Sequence, residues 1–271
     1  MANDLKFSIF TKPWRAETPD ELAELVKNLG FDGIEFPLRD GYQAEPASAE
    51  TELPKLAAKF LEYGLKIYSI ASGTEENIFA ACAEASVPLI RIMFGHDLNR
   101  NYHETEREMK KTIEGFLPLC EKYRIKVGVQ QHCGPGVNNS MEMLHLLEGY
   151  DPKLVGGVWD AAHSGLAGEE PEQALDVIWD YLCLVNFKNA AYIRTNGPEA
   201  DEAAYDRYFT TGSQGLCSWR RALAHLNKKG YAGNICMPVE YTDYANTEKY
   251  AYQDLIYIKK LAREVYGPDC C

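Results

Sequence analysis

The feature that most restricts this chain is a repeat of architecture rather than of residues. Eight times, a short apolar or β-branched run is followed by a polar loop and then by apolar residues at helical spacing. The runs are Leu5 to Phe10, Gly33 to Phe36, Leu65 to Ile70, Leu89 to Phe94, Lys126 to Gln131, Leu154 to Trp159, Leu182 to Phe187 and Ile235 to Glu240. Strands that alternate with helices predict parallel βαβ units, since parallel neighbours need a crossover long enough to hold a helix. Eight such units close on themselves, so the expectation is one α/β domain over 1–271, a single (β/α)8 (TIM) barrel. The length of 271 residues fits, because barrels of this kind take roughly 250.

Helix signals fall between the runs. Thr18-Pro19-Asp20-Glu21 places an N-cap hydroxyl before a first-turn proline, with a carboxylate three residues after the cap, and Gly30 stops the helix after Leu29. Ser218 caps a second helix that buries Ala222, Leu223 and Leu226 and ends at Gly230. A last helix is expected over Thr247 to Val265, with Tyr250, Leu255, Ile258 and Leu261 facing the barrel. Two connections exceed the usual 2–6 residues of α/β units, Arg39 to Ala49 and Asn189 to Gly215. Both follow strand ends, the face on which barrels carry their chemistry, so both are read as pocket walls.

Composition removes several classes of function. A formal charge of −12 opposes binding to a polyanion, because affinity for nucleic acid rests largely on Lys and Arg neutralising phosphates. Met1 to Phe10 lacks a basic start followed by a long apolar stretch, and no later segment approaches the ~20 apolar residues that span a bilayer. A cytoplasmic protein that binds no membrane is expected. Its eight cysteines lack the close pairing of a zinc knuckle and read as reduced, mostly buried thiols.

Chemistry-bearing residues gather at the ends of the last four barrel strands. These ends read Gln130-Gln131-His132, Asp160 with His163, Asn186 with Lys188, and Glu240. Alternation along a strand puts Gln130 with His132 on one face and Asn186 with Lys188 on one face. Asp160 and Glu240 each terminate an apolar run, where a carboxylate is costly unless something pairs with it. A divalent cation is one candidate partner, with amide oxygens from Gln130 and Asn186 completing an oxygen set suited to Mg²⁺ or Mn²⁺. Lys188 is the other, and both remain open. Glu35 and Arg91 are further pocket candidates. Tyr192, Arg194, Tyr205, Arg207, Tyr208 and Phe209 in the second long connection, with Trp219 nearby, suit sugar rings or a subunit interface. Thr211-Gly212-Ser213-Gln214-Gly215 hints at phosphate, without a full nucleotide fingerprint. His103, His145 and His225 fall within helices and receive no role.

The chain resembles the xylose isomerase-like barrels, the sugar phosphate isomerase/epimerase family. The resemblance rests on Gly30-Phe31-Asp32-Gly33-Ile34-Glu35, Trp159-Asp160-Ala161-Ala162-His163, Val185-Asn186-Phe187-Lys188-Asn189 and Gly230-Tyr231-Ala232-Gly233 followed by Val239-Glu240. It implies one divalent metal, manganese or magnesium, held by Glu, Asp, His and Glu at the ends of strands five to eight. By position those ligands become Gln130, Asp160, Asn186 and Glu240. Gln130 lacks the family's charge and Asn186 its nitrogen donor, which lowers metal affinity. Epimerases of the family also set a carboxylate on each face of the sugar, and an amide at Gln130 breaks that symmetry.

What the resemblance implies is therefore a carbohydrate isomerase or epimerase that removes a proton alpha to a carbonyl of a keto sugar or derivative. Glu240 is the first candidate base and His132 the second, as an imidazole titrates near neutrality. His163 would hold a substrate oxygen with Glu35, Arg91, Arg194 and Trp219, and Lys188 would stabilise an enolate. Two alternatives stand beside it. One is a lyase that cleaves oxidised glycosides after the same proton abstraction, as related barrels do with a partner subunit. The other is a sugar-binding or scaffold subunit without turnover. A homo-oligomer or a partner subunit is compatible with each.

Overall fold

In the computed structural model, which describes residues 5–271, the chain alternates strand and helix from end to end. The order is β1 (Lys6–Phe10), α1 (Pro19–Leu29), β2 (Gly33–Pro37), α2 (Ala49–Glu62), β3 (Lys66–Ala71), α3 (Glu76–Glu84), β4 (Leu89–Ile92), α4 (Tyr102–Tyr123) and β5 (Lys126–Gln130). It continues with α5 (Ser140–Leu147), β6 (Val155–Asp160), α6 (Ala161–Leu166), α7 (Pro171–Ile178), β7 (Leu182–Asn186), β8 (Asn189–Arg194) and β9 (Tyr205–Thr210). The chain closes with α8 (Trp219–Lys228), β10 (Asn234–Met237) and α9 (Thr247–Tyr266). Eight strands form a closed barrel in the order β1-β10-β7-β6-β5-β4-β3-β2, with parallel pairing at each seam. This is a (β/α)8 barrel of mixed α/β class.

Local chemistry accounts for the helix ends. Thr18 and Glu21 satisfy each other's backbone donors in a reciprocal cap, and Gly30 takes φ +92°, a conformation that only glycine adopts without strain. Ser218 accepts from the Arg221 amide to start α8. Leu255, Ile258 and Leu261 of α9 are buried against the barrel, while Tyr250 is only partly covered. Inside the barrel, Phe10, Ala71, Leu89, Val158, Leu184 and Cys236 form a compact apolar layer.

The second long connection is not a loop. Residues 189–210 form an antiparallel β-hairpin, β8 with β9, with Ala191 opposite Tyr208 and Arg194 opposite Tyr205. Its exposed positions carry no apolar alternation, which is why the sequence pattern misses it. Within Thr211–Gly215, packing calls for both glycines. A Cβ on Gly212 would lie 2.3 Å from the Trp219 ring, and one on Gly215 would lie 2.2 Å from Asn189 Oδ1. Asn189 ties this segment down by donating to the Gly212 and Cys217 carbonyls, both at 2.8 Å. The glycines are there for close packing. No helix among the described residues is long and apolar enough to cross a membrane.

Candidate active site

Residues of β1, β4, β5 and β7 and the segment after β10 line a small cavity of about 60 Å³, enough for a few water molecules, and Asp160 at the end of β6 is tied to its walls through Gln130 and Lys188. Lys12, Arg39, Arg91, Gln130, His132, Asn186, Lys188 and Glu240 supply its polar wall. A second cavity of about 410 Å³ between Leu38, Pro46 and Met93 shares Arg39 and Arg91 with it.

Strand alternation places the wall. Gln130 faces the cavity, while its neighbour Gln131 points the other way, donating to Glu169 at 2.8 Å. Asp160 ends β6 and at once caps α6: its Oδ1 accepts from the amides of Ala162 (3.1 Å) and His163 (3.2 Å). A carboxylate at a helix start is the expected capping group, so part of the reason for this acid is local. Its Oδ2 accepts from Gln130 Nε2 at 2.9 Å and lies 3.7 Å from Lys188 Nζ.

Glu240 arrives by a different route. The last barrel strand stops at Met237, and Val239 takes φ +48°, a left-handed conformation rare for a β-branched residue. That turn brings the partly exposed Glu240 onto the cavity, where Oε2 accepts from Lys188 at 2.9 Å and Oε1 from Lys12 at 2.5 Å. Burial alone would raise the Glu240 carboxyl, but the two lysines outweigh it and hold it well below the usual carboxylate range. Burial alone would lower the Lys188 ammonium, yet Asp160 and Glu240 raise it, so it stays charged. Burial pushes Asp160 up against the pull of Lys188.

On the opposite wall, His132 Nδ1 lies 3.0 Å from the Cys133 carbonyl. A carbonyl only accepts, so this contact puts the ring proton on Nδ1 and leaves Nε2 with its lone pair. Burial, then the Lys188 charge, lower the pKa of this imidazole and favour its neutral form. The ring of His163 stacks behind it at 4.3 Å and has the other tautomer, because its Nδ1 accepts from the Cys133 amide at 3.1 Å. Burial, then Lys188, hold His163 far below the ordinary range, and its buried Nε2 has no hydrogen-bond partner among the described residues. Asn186 is fully buried, and neither amide atom has a hydrogen-bond partner among the described residues. Such atoms are costly in a finished core and expected where a ligand completes the bonding.

The remaining candidates take other places. Glu35 is buried beneath Arg91, accepting from its Nε at 2.7 Å and from Ser69 at 3.0 Å, so it holds Arg91 rather than facing the cavity. Arg91 also donates to Gln130 Oε1. Trp219 is a core residue, packed edge-on against Phe187 at 5.5 Å and donating to the Lys188 carbonyl at 3.3 Å. Arg194 is exposed on the hairpin and folds back on Asn196 and Gly197. Glu35, Trp219 and Arg194, expected as substrate contacts, thus lie outside the lining of this cavity. Lys12 was missed; its signal is a cation directly after the first strand. The base of the hairpin does reach the site, with Phe209 5.2 Å from Lys188 Nζ. His103 and His145 pair with Glu106, and His225 with Asp176, on the helices.

Residues 23–261 match the sequence pattern of the xylose isomerase-like TIM barrel. The chain belongs to this family. Among its relatives is an inosose dehydratase of Bacillus licheniformis, 28% identical over 246 residues that cover 82% of this chain and 81% of the relative. Similar solved folds include a 3-keto-D-glucoside 4-epimerase from E. coli, with TM-score 0.71 and 15% identity over 95% of this chain and 100% of that one. A probable 3-DHS dehydratase from Bacillus anthracis has TM-score 0.68 and 15% identity over 93% of this chain and 98% of that one. At such identities the structural likeness speaks for the fold.

The donors at the family's metal positions do not suit a divalent ion. Gln130 turns its Oε1 to Arg91 and its Nε2 protons to Asp160. The ammonium of Lys188 lies within reach of both acids. His132, Cys133 and His163 also bring potential ligand atoms within 4.8 Å of one another, but Arg207 sets a guanidinium nitrogen 2.8 Å from Cys133 Sγ.

Proposed function

We propose that this protein is a lyase acting on a keto polyol, removing a proton alpha to the carbonyl and expelling a hydroxyl as water. The observation that carries this reading is His132, a neutral imidazole with a defined tautomer and a free Nε2 lone pair, on a wall shared with a fixed ammonium. His132 Nε2 takes the alpha proton; the C–H electrons form a new C=C bond, and the carbonyl electrons move onto oxygen. Lys188 faces that developing oxyanion, and a cation already held in place stabilises it without reorganisation. The enolate then re-forms its carbonyl and pushes out the β-hydroxyl, which receives the proton held by the imidazolium and leaves as water. Asn186 offers one donor and one acceptor to substrate hydroxyls, and Glu240 keeps Lys188 charged and in place.

This reading reverses the ranking that the sequence suggests in two respects. His132 precedes Glu240 as base, because two ammoniums weaken the carboxylate. Elimination precedes epimerisation, because Gln130 stands where a second proton-transferring carboxylate would be needed. The inosose dehydratase relative supports the same order. Incubation with an inosose and related keto polyols in deuterated water, followed by NMR, tests it. Loss of water with formation of an unsaturated ketone is expected. Deuterium uptake alone would favour the epimerase reading, and no reaction with any keto polyol would remove both.

A further inference from the structure

The four family metal positions hold a closed set of charges of their own. Asp160 and Glu240 bring two carboxylates and Lys188 and Lys12 two ammoniums, with Lys188 within ion-pair distance of both acids and Lys12 of Glu240. Lys188 is 4% exposed, and its Nζ spans the acids at 2.9 Å from Glu240 and 3.7 Å from Asp160. A divalent ion placed there would add two charges to a set already balanced, beside the buried Asp160 and Lys188, where uncompensated charge is heavily penalised.

Direction matters as much as count. Gln130 is fixed by partners that admit one orientation, since the Arg91 guanidinium only donates and the Asp160 carboxylate only accepts. Its amide protons therefore point at the acid that a metal would need. Asp160 Oδ1 is spent on two backbone amides. Asn186 replaces an imidazole nitrogen by an amide, a weaker ligand than imidazole for first-row ions. One side chain, Lys188, makes these departures mutually consistent.

We infer that Lys188 is the resident cation of this barrel: its ammonium takes the position between Asp160 and Glu240 that a divalent ion would fill, and the chain works without a metal. The inference does not depend on which keto polyol is the substrate, or on whether elimination or epimerisation follows.

Metal binding reads it without activity. The full chain is titrated with Mn²⁺ and followed by electron paramagnetic resonance, with the melting temperature recorded in EDTA and in Mn²⁺. Wild type is expected to bind no stoichiometric Mn²⁺ and to melt at the same temperature in both. The variant Gln130→Glu/Asn186→His/Lys188→Met, checked for folding by circular dichroism, is expected to gain one Mn²⁺ per chain. One Mn²⁺ bound by wild type and lost in Asp160→Asn would overturn the inference. A folded triple variant that still takes no Mn²⁺ would equally overturn it, since Lys188 would then not be what stands in the ion's place. If the triple variant does not fold, the wild-type and Asp160→Asn titrations decide alone.

Discussion

On the β2–β4 side of the barrel, Glu35 and Arg91 form an ion pair 2.7 Å apart, with Ser69 and Cys236 also bonded to the acid. On the β6–β7 side, His163 and Asn186 are as deeply buried and keep three polar atoms without a hydrogen-bond partner among the described residues. Burial is the same; satisfaction differs. In the first arrangement both oxygens of Glu35 are bonded, and the acid serves to hold Arg91 against the cavity. The second has bonds left to make, and a ligand with hydroxyl groups can make them. The proposed function puts stability on one side of the mouth and reactivity on the other.

Substitutions can break this contrast. The largest effect is expected from Glu35→Ala, which leaves Arg91 buried without its acid. Breaking one partner of such a pair costs about 3–5 kcal/mol, read as a lower urea midpoint. On the reactive side, His132→Gln should lower turnover by about 10²–10⁴, the usual range for losing a general base, with little change in the urea midpoint. Comparable losses of stability at both positions would erase the distinction.

A third test lies outside both regions. Asp254 is buried and accepts from the Gly212 amide and the Tyr241 hydroxyl, each at 2.8 Å, and burial pushes its carboxyl up to about 6. The native state then holds a proton that the unfolded chain loses near pH ~3.9. Stability from this group is full below that pH and falls by about 1 kcal/mol per unit as pH rises through the folded value. Asp254→Asn should flatten that slope when urea midpoints are compared across the window. The smallest effect is expected at Asn186→Ala. Removing two unpaired polar atoms should leave stability unchanged or raise it by about 1 kcal/mol, while activity falls.

The sequence makes the barrel legible because each strand is a short apolar run bounded by polar loops, a pattern set by burial on both faces. Asp160, Lys188 and Glu240 are legible for the same reason: a charge that ends an apolar run stands out. What it hides are relations across the chain. Lys12 lies 228 positions from the Glu240 it pairs with. Trp219 and Glu35 carry the same residue types as a sugar site, yet packing decides that one is core and the other a support. The hairpin escapes because β8 and β9 are stabilised by each other, with exposed Tyr192, Ile193 and Tyr205 that show no buried face.

The contrast rests on where a hydroxylated ligand settles. A crystal structure of the protein soaked with a keto polyol is the most direct measurement. The account predicts ligand hydroxyls on Asn186 Nδ2 and Oδ1, and the carbonyl oxygen beside Lys188 Nζ with His132 Nε2 facing the adjoining carbon. A ligand seated in the cavity between Leu38 and Met93, with Asn186 still unpartnered, would contradict it.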